Sequence, residues 1–86
     1  MQVRKKLDIL EAFRFGIDAM PEWFQDKIIN NEAFDNGDTC QIRTVVNHEY
    51  IWMECKFGYV VVKDVGGVVY PVEPAVFGLM FEVVRR

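Results

Sequence analysis

Few side chains in this sequence carry the chemistry that catalytic and metal sites need. The chain holds two cysteines, Cys40 and Cys55, and one histidine, His48. Zinc sites use cysteines or histidines at short spacings such as CxxC and HxxxH, and neither spacing occurs. A single histidine also leaves most nucleophilic and general-base schemes without a second member. We therefore expect no metal, no cofactor and no catalytic residue, and we predict that the protein is not an enzyme.

Two further segments have compositions found in ligand-binding loops. Residues 34–39, FDNGDT, cluster acidic side chains but lack the alternating ligand order of a calcium loop, so they predict a turn. Gly66 and Gly67 lie between two strand patterns, which favours a hairpin turn over a phosphate-binding loop. For Cys40 and Cys55 we expect reduced, buried thiols. A disulfide would require them to lie opposite each other on neighbouring strands, which the sequence does not establish.

Glu11 is unusual because it shares an alternating row with the apolar residues Ile9 and Phe13. A lone buried carboxylate is costly unless it is paired or protonated. One interpretation is a protonated acid in a pocket between helix and sheet, near Tyr70. The favoured interpretation is a carboxylate at a strand edge, bonded to the backbone or to a tyrosine such as Tyr70.

Length and composition restrict the fold class. The chain has 86 residues, of which 51% are hydrophobic and 27% charged, as expected of one globular domain. No apolar run approaches the roughly 18 residues of a membrane-spanning helix, and no apolar stretch follows the basic residues near the start. We therefore expect a soluble, cytoplasmic protein without a membrane partner.

The charge is unevenly distributed along the chain. The net charge is -3, but residues 7–84 hold all thirteen acidic and only five of the ten basic residues. Basic residues gather at the two ends, at positions 4–6 and 85–86. An acidic body repels phosphate backbones, so the sequence argues against nucleic acid as a partner.

The hydrophobic periodicity predicts an α+β fold with a mainly antiparallel sheet of five to six strands. One main helix, over about residues 20–31, should pack on this sheet, because Pro21 suits its start and Trp23 and Phe24 need cover. One short helical turn should lie between Pro74 and Met80, opened by Pro74 and anchored by Phe77. The predicted strands are 7–15, 40–46, 50–57, 59–65, 68–72 and 81–84, and the last should pair with the first.

One helix can cover only one face of such a sheet. The opposite face would then expose a row of aromatic and basic side chains, which ordinary monomers rarely leave in water. Tyrosine, tryptophan and arginine are also enriched at binding hot spots. The predicted interaction face consists of Arg43, Tyr50, Trp52, Tyr59 and Val61. A sheet curled into a partial barrel would instead bury both rows, and aromatic residues on a sheet can also stack single-stranded bases.

The stretch FGYVVVKDVGGVVYPVEPAVFGLMFEVV resembles the C-terminal half of small phage and prophage proteins named for a PGDYG-like motif. The segments KKLDILEAFRF and PEWFQDKI are similar to the opening strand and the helix of the same family. The matching positions are Gly58, Val60, Lys63, Gly67, Tyr70, Pro71, Pro74 and Phe77. This chain departs from the pattern at Phe57, Tyr59, Val72, Glu73 and Ala75. The resemblance implies an origin in a phage or prophage and a place in bacterial cytoplasm, and it supplies no established activity.

Together these observations predict a non-enzymatic protein-interaction module that docks through the aromatic sheet face. Its partner would be a second copy of the chain or a host or phage protein. The alternative is a module that binds a small ligand or a single-stranded oligonucleotide in the pocket near Glu11 and Tyr70.

Overall fold

The computed structural model describes residues 1–84 and confirms the α+β class. Within these residues the strands form two antiparallel sheets, one of five strands and one of three, and the sheets do not close into a barrel. The elements are β1 Gln2–Lys5, β2 Asp8–Arg14, α1 Glu22–Ile29, β3 Ala33–Asp35, β4 Thr39–Val46, β5 Glu49–Lys56, β6 Val60–Lys63, β7 Val69–Val72, α2 Pro74–Met80 and β8 Glu82–Val83.

The five-stranded sheet has the order β7-β6-β2-β1-β8. Its last strand pairs with the beginning of the chain, since Val83 lies opposite Val3 and Glu82 opposite Arg4. The sequence predicted that the last strand would pair with strand 7–15, which corresponds to β2. The last strand does pair near the start of the chain, but its partner is β1. Of the basic residues at the two ends of the sequence, Arg4 lies in β1, whereas Arg85 and Arg86 lie outside the described residues.

The three-stranded sheet has the order β3-β4-β5 and corrects the expectation of a single sheet. Eight residues of β4 pair without interruption with eight of β5. A two-residue turn joins them, in which Asn47 and His48 both have positive φ, of 52° and 66°. This is the geometry of a type I′ turn, whose twist matches that of the flanking strands.

One face of the five-stranded sheet is covered by both α1 and the three-stranded sheet. Phe24 from α1 is fully buried, and its ring centroid lies 5.0 Å from that of Phe13 in β2. Pro21 precedes the helix in an extended conformation, so its missing N–H removes no helical hydrogen bond. The buried residues of this core are Phe13, Phe15, Phe24, Ala33, Cys40, Ile42, Cys55, Val61 and Val69.

The other face of the five-stranded sheet is covered by α2. Pro74 to Met80 form two helical turns, not the single turn predicted, and Phe77 and Phe81 pack against the sheet with their rings stacked 5.1 Å apart. The buried residues of this second core are Val3, Leu10, Ala12, Val60, Val62 and Val72. Both faces of the larger sheet are therefore covered. The sequence predicted only one helix large enough to cover a face of the sheet, and so it predicted one open face.

No helix within residues 1–84 has the length and apolar character needed to cross a bilayer.

Candidate interaction face

Three of the predicted interaction residues lie together on the outer face of the three-stranded sheet. Arg43 pairs with Trp52, and Val45 pairs with Tyr50, across the β4–β5 ladder. Directly paired residues of antiparallel strands point to the same side, so these four side chains share one face. Phe34 in β3 joins them through its contact with Trp52. We call this surface the aromatic face, consisting of Phe34, Arg43, Val45, Tyr50 and Trp52.

The aromatic face is exposed but locally ordered. Tyr50 keeps 70% of its surface in solvent and Trp52 keeps 49%. The Trp52 ring stacks on Phe34 with 5.4 Å between centroids and 29° between planes. The Arg43 guanidinium lies 4.5 Å from the centroid of the Tyr50 ring, within cation–π range. These contacts hold the large side chains in place before anything binds.

Two ion pairs that share the carboxylate of Glu32 hold Arg43 in position. Its Nη2 lies 3.6 Å from Oε2 of Glu32, and the same oxygen accepts a hydrogen bond of 3.1 Å from Nζ of Lys27 at the end of α1. The backbone N–H of Arg43 also donates to the carbonyl of Glu32, at 3.0 Å. The guanidinium is thereby oriented from one side by a carboxylate and from the other by the Tyr50 ring.

Sequence reasoning missed Phe34. Strand β3 contains only three residues, and two of them, Phe34 and Asp35, lie in the segment 34–39 that we interpreted as a turn. The available signal was the apolar pair Ala33-Phe34 within polar surroundings, where Ala33 is fully buried and Phe34 is half exposed. Such a pair indicates a strand with one face inward and one face outward.

Two residues of the predicted interaction face lie elsewhere. Val61 belongs to β6 in the five-stranded sheet, pairs with Phe13 and is fully buried in the core. Tyr59 is half-buried against the same core, and its carbonyl accepts a hydrogen bond from the N–H of Phe15. Val61 is therefore not exposed, and neither residue shares the aromatic face. The prediction failed because the chain changes sheets at Gly58, so alternation before this point says nothing about the face after it.

The predicted pocket near Glu11 and Tyr70 is wrong. The register aligns Ala12 with Val62 and Val62 with Tyr70, so Tyr70 lies on the side of Ala12. Glu11 is the neighbour of Ala12 along the strand and therefore points to the opposite face. Its carboxylate instead accepts a 3.3 Å hydrogen bond from Nε2 of Gln2.

Tyr70 itself is half-buried against the second core. Burial, with a smaller contribution from Asp64, raises the pKa of its phenol. It lines an open cleft of about 290 Å³ together with Lys5, Lys6, Asp8, Leu10, Asp64 and Val65. The cleft contains charges of both signs and does not include Glu11.

The two cysteines lie opposite each other in the β4–β5 ladder and are free thiols in the core. Burial raises the pKa of Cys40 to about 11 and that of Cys55 to about 12. The nearby charge of Asp35 adds to the shift at Cys40. A thiol with such a pKa is almost entirely protonated at neutral pH and is a weak nucleophile and metal ligand. Within residues 1–84, no three histidine, cysteine or carboxylate side chains are grouped to hold a metal ion.

Comparison with known proteins yields no relative, since no protein-family model, curated protein or solved structure matches the chain. The resemblance to the phage and prophage family therefore depends on the sequence segments given above.

Proposed function

We propose that this protein is a protein-interaction module that docks a protein partner through the aromatic face. The observation that carries the proposal is the ordered cluster in which Trp52 stacks on Phe34 and Arg43 packs on Tyr50, on a sheet face that no element of residues 1–84 covers. Burying these rings against a partner would remove a large apolar area from water.

The residue types and their arrangement match those of binding hot spots. Tryptophan, tyrosine and arginine carry most of the energy in many protein interfaces. Their side chains here are already held by neighbours, so a partner would lose less conformational entropy in ordering them. Arg43 adds a cation at the centre of the face, which favours a partner with a carboxylate or carbonyl opposite it.

The class of molecule to which the partner belongs is the second part of the proposal. The resemblance to phage and prophage proteins favours a partner in the bacterial cytoplasm, either a further copy of this chain or a phage or host protein. The acidic body disfavours nucleic acid, because residues 7–84 hold thirteen acidic and five basic residues.

The test compares two truncations of exposed apolar side chains. Trp52→Ala removes the largest side chain of the aromatic face, whereas Leu79→Ala, at a residue 88% exposed on α2, leaves that face intact. We expect Trp52→Ala to weaken binding by about 2 kcal/mol or more, equivalent to roughly 30-fold in Kd. Leu79→Ala should bind as the original chain does.

Binding is measured by calorimetry with the partner purified from a bacterial lysate, or by sedimentation if the chain binds itself. Circular dichroism establishes that each variant is folded. Equal affinity of the two folded variants would show that the aromatic face is not the docking surface.

A further inference from the structure

Strand β5 forms an open edge of the three-stranded sheet. Its eight residues pair only with β4, and within residues 1–84 its other edge has no strand beside it. Edges of this length are usually protected by proline, by bulges or by charged side chains, lysine above all. Here the register is unbroken, the strand contains no proline, its single lysine, Lys56, lies at the end, and Glu54 is the one charged residue inside the strand.

The turn geometry determines which backbone groups point outward from β5. A two-residue turn makes Val46 and Glu49 the closing hydrogen-bonded pair, and hydrogen-bonded pairs then alternate along the ladder. In agreement, the N–H of Arg43 points away from β5 and donates to Glu32. The N–H and C=O groups of Tyr50, Trp52 and Glu54 therefore point to the open edge.

These three residues are the central set of outward-facing groups. The next residue in the series, Lys56, has its carbonyl occupied by the N–H of Tyr59, at 3.0 Å. No backbone hydrogen bond within residues 1–84 occupies the outward groups of Tyr50, Trp52 or Glu54. The free donors and acceptors are thus symmetric about Trp52.

We infer that β5 pairs edge to edge and antiparallel with β5 of a second copy, about a two-fold axis at Trp52. This inference goes beyond the proposed function, because the second copy binds the edge of β5 and the aromatic face stays open to a protein partner. An axis perpendicular to the sheet keeps each side chain on its own face, so Trp52 lies opposite the partner's Trp52 and Tyr50 opposite the partner's Glu54. Each of these pairs exchanges two N–H···O=C bonds. The result is one continuous sheet of six strands, three from each copy.

The side chains complement each other in this register. On the outer face, the carboxylate of the partner's Glu54 reaches the Tyr50 ring, which Arg43 already contacts. Each of the two Tyr50 rings in the dimer therefore has one positive and one negative side chain beside it. Glu54 has no ion pair within residues 1–84. The two Trp52 indoles meet at the axis and join the two aromatic faces into one surface.

Apolar groups also meet on the inner face. Ile51 and Met53 keep 37% and 36% of their surface exposed at the open edge, although both belong to the row that faces the core. The register places Ile51 opposite the partner's Met53, so the pairing covers apolar surface that the monomer leaves in water.

The test removes one backbone donor without changing the aromatic face. Glu54→Pro deletes an N–H group that points to the open edge. An edge strand accepts proline at such a position because no hydrogen bond to β4 is lost. Glu54→Ala removes the same carboxylate but keeps the N–H, so the difference between the two variants reports on the backbone donor alone. By sedimentation, the original chain should give twice the 10.1 kDa chain mass, Glu54→Ala should still reach that mass at a higher protein concentration, and Glu54→Pro should give the chain mass at every concentration.

Hydrogen exchange provides a measurement that needs no variant. The amide protons of Tyr50, Trp52 and Glu54 should exchange more slowly as the protein concentration rises, whereas that of exposed Gly37 should not change. This measurement decides the matter if Glu54→Pro does not fold. Exchange at the three amides that is independent of concentration overturns the inference.

The register has its own test. The double variant Tyr50→Cys with Glu54→Cys should be joined into a dimer by a short bismaleimide, because these positions face each other across the interface. Tyr50→Cys alone should remain uncrosslinked.

Failure of edge pairing is distinguishable from failure of the proposed function. A chain that stays monomeric at high concentration overturns edge pairing, while the comparison of Trp52→Ala with Leu79→Ala still tests the aromatic face. A dimer that survives Glu54→Pro but not Trp52→Ala likewise overturns edge pairing and supports docking through the aromatic face.

Discussion

The indole of Trp52 and the ring of Phe34 stack across the outer face of the small sheet, although their strands β5 and β3 are separated by β4. Neither ring is buried in a core, so the contact does little to close the fold. Its main effect is to fix the direction of the indole. A prepositioned tryptophan on an open sheet face is the feature that most distinguishes this surface from the rest of the molecule.

The first prediction concerns the energy of this stack. A double-mutant cycle with Phe34→Ala and Trp52→Ala isolates the interaction between the two rings. Since both are half exposed, we expect a coupling of about 0.5 kcal/mol, at the low end for aromatic pairs. Urea unfolding of the four proteins measures it. A coupling of zero would mean that the indole is not held by Phe34 in solution.

The second prediction concerns Gly16, where the chain turns after β2. Its φ is +81°, and the Cβ of any larger residue would overlap the ring of Phe57. Gly37 has φ +95° but nothing near that position, so Gly37→Ala carries only the backbone strain of about 1–2 kcal/mol. Gly16→Ala should lower the free energy of unfolding by more than this.

A double variant separates the two causes at Gly16. Adding Phe57→Ala removes the ring that an alanine at position 16 would meet. The cost of Gly16→Ala in this background should fall to that of Gly37→Ala. An unchanged cost would show that the ring moves aside freely and that the backbone strain dominates.

The third prediction concerns alkaline pH. Burial raises the pKa of Cys40 to about 11 and of Cys55 to about 12, from an ordinary value of 9.0. A raised folded-state pKa means that unfolding favours ionisation, so this contribution to stability is complete below pH 9 and is lost as pH rises through the folded values. Between pH 9 and its folded pKa, each thiol should lower the free energy of unfolding by about 1 kcal/mol per pH unit.

The measurement is the free energy of unfolding at pH 8 to 11, for the original chain and for Cys40→Ala with Cys55→Ala. Lysines and tyrosines titrate in both proteins, so only the difference between the curves reports on the thiols. The free energy of unfolding of the double variant should fall less steeply with rising pH than that of the original chain. Parallel curves would contradict buried thiols with raised pKa values.

Local elements were predictable where the sequence signals them directly. The alternation of β4 and β5 and the turn between them follow from residue types, because apolar side chains repeat every second residue. The helix at Pro74 begins where proline fixes the backbone. The side chains of Tyr50 and Trp52 are exposed because their row lies opposite that of Cys55.

Pairing between distant segments was not predictable. Alternation shows that a strand has two faces but not which sheet it joins, so Val61 was placed beside Trp52 although it packs on Phe13. Strand β1, with the sequence QVRK, has one buried residue, Val3, and too little apolar content to be recognised. The Glu11 pocket failed for the same reason, since it required a register that only the folded sheet supplies.

The covering of the larger sheet on both sides has an evolutionary consequence. The residues on each of its two faces pack in a core, so they tolerate little change, because a substitution there alters packing. Most outward side chains of the smaller sheet contribute to neither interior, so they can drift or be selected at small cost to folding. A family built on this scaffold should diversify fastest at the outward positions of β5 and β3, and not at the buried Cys55 and Ala33 of the same strands.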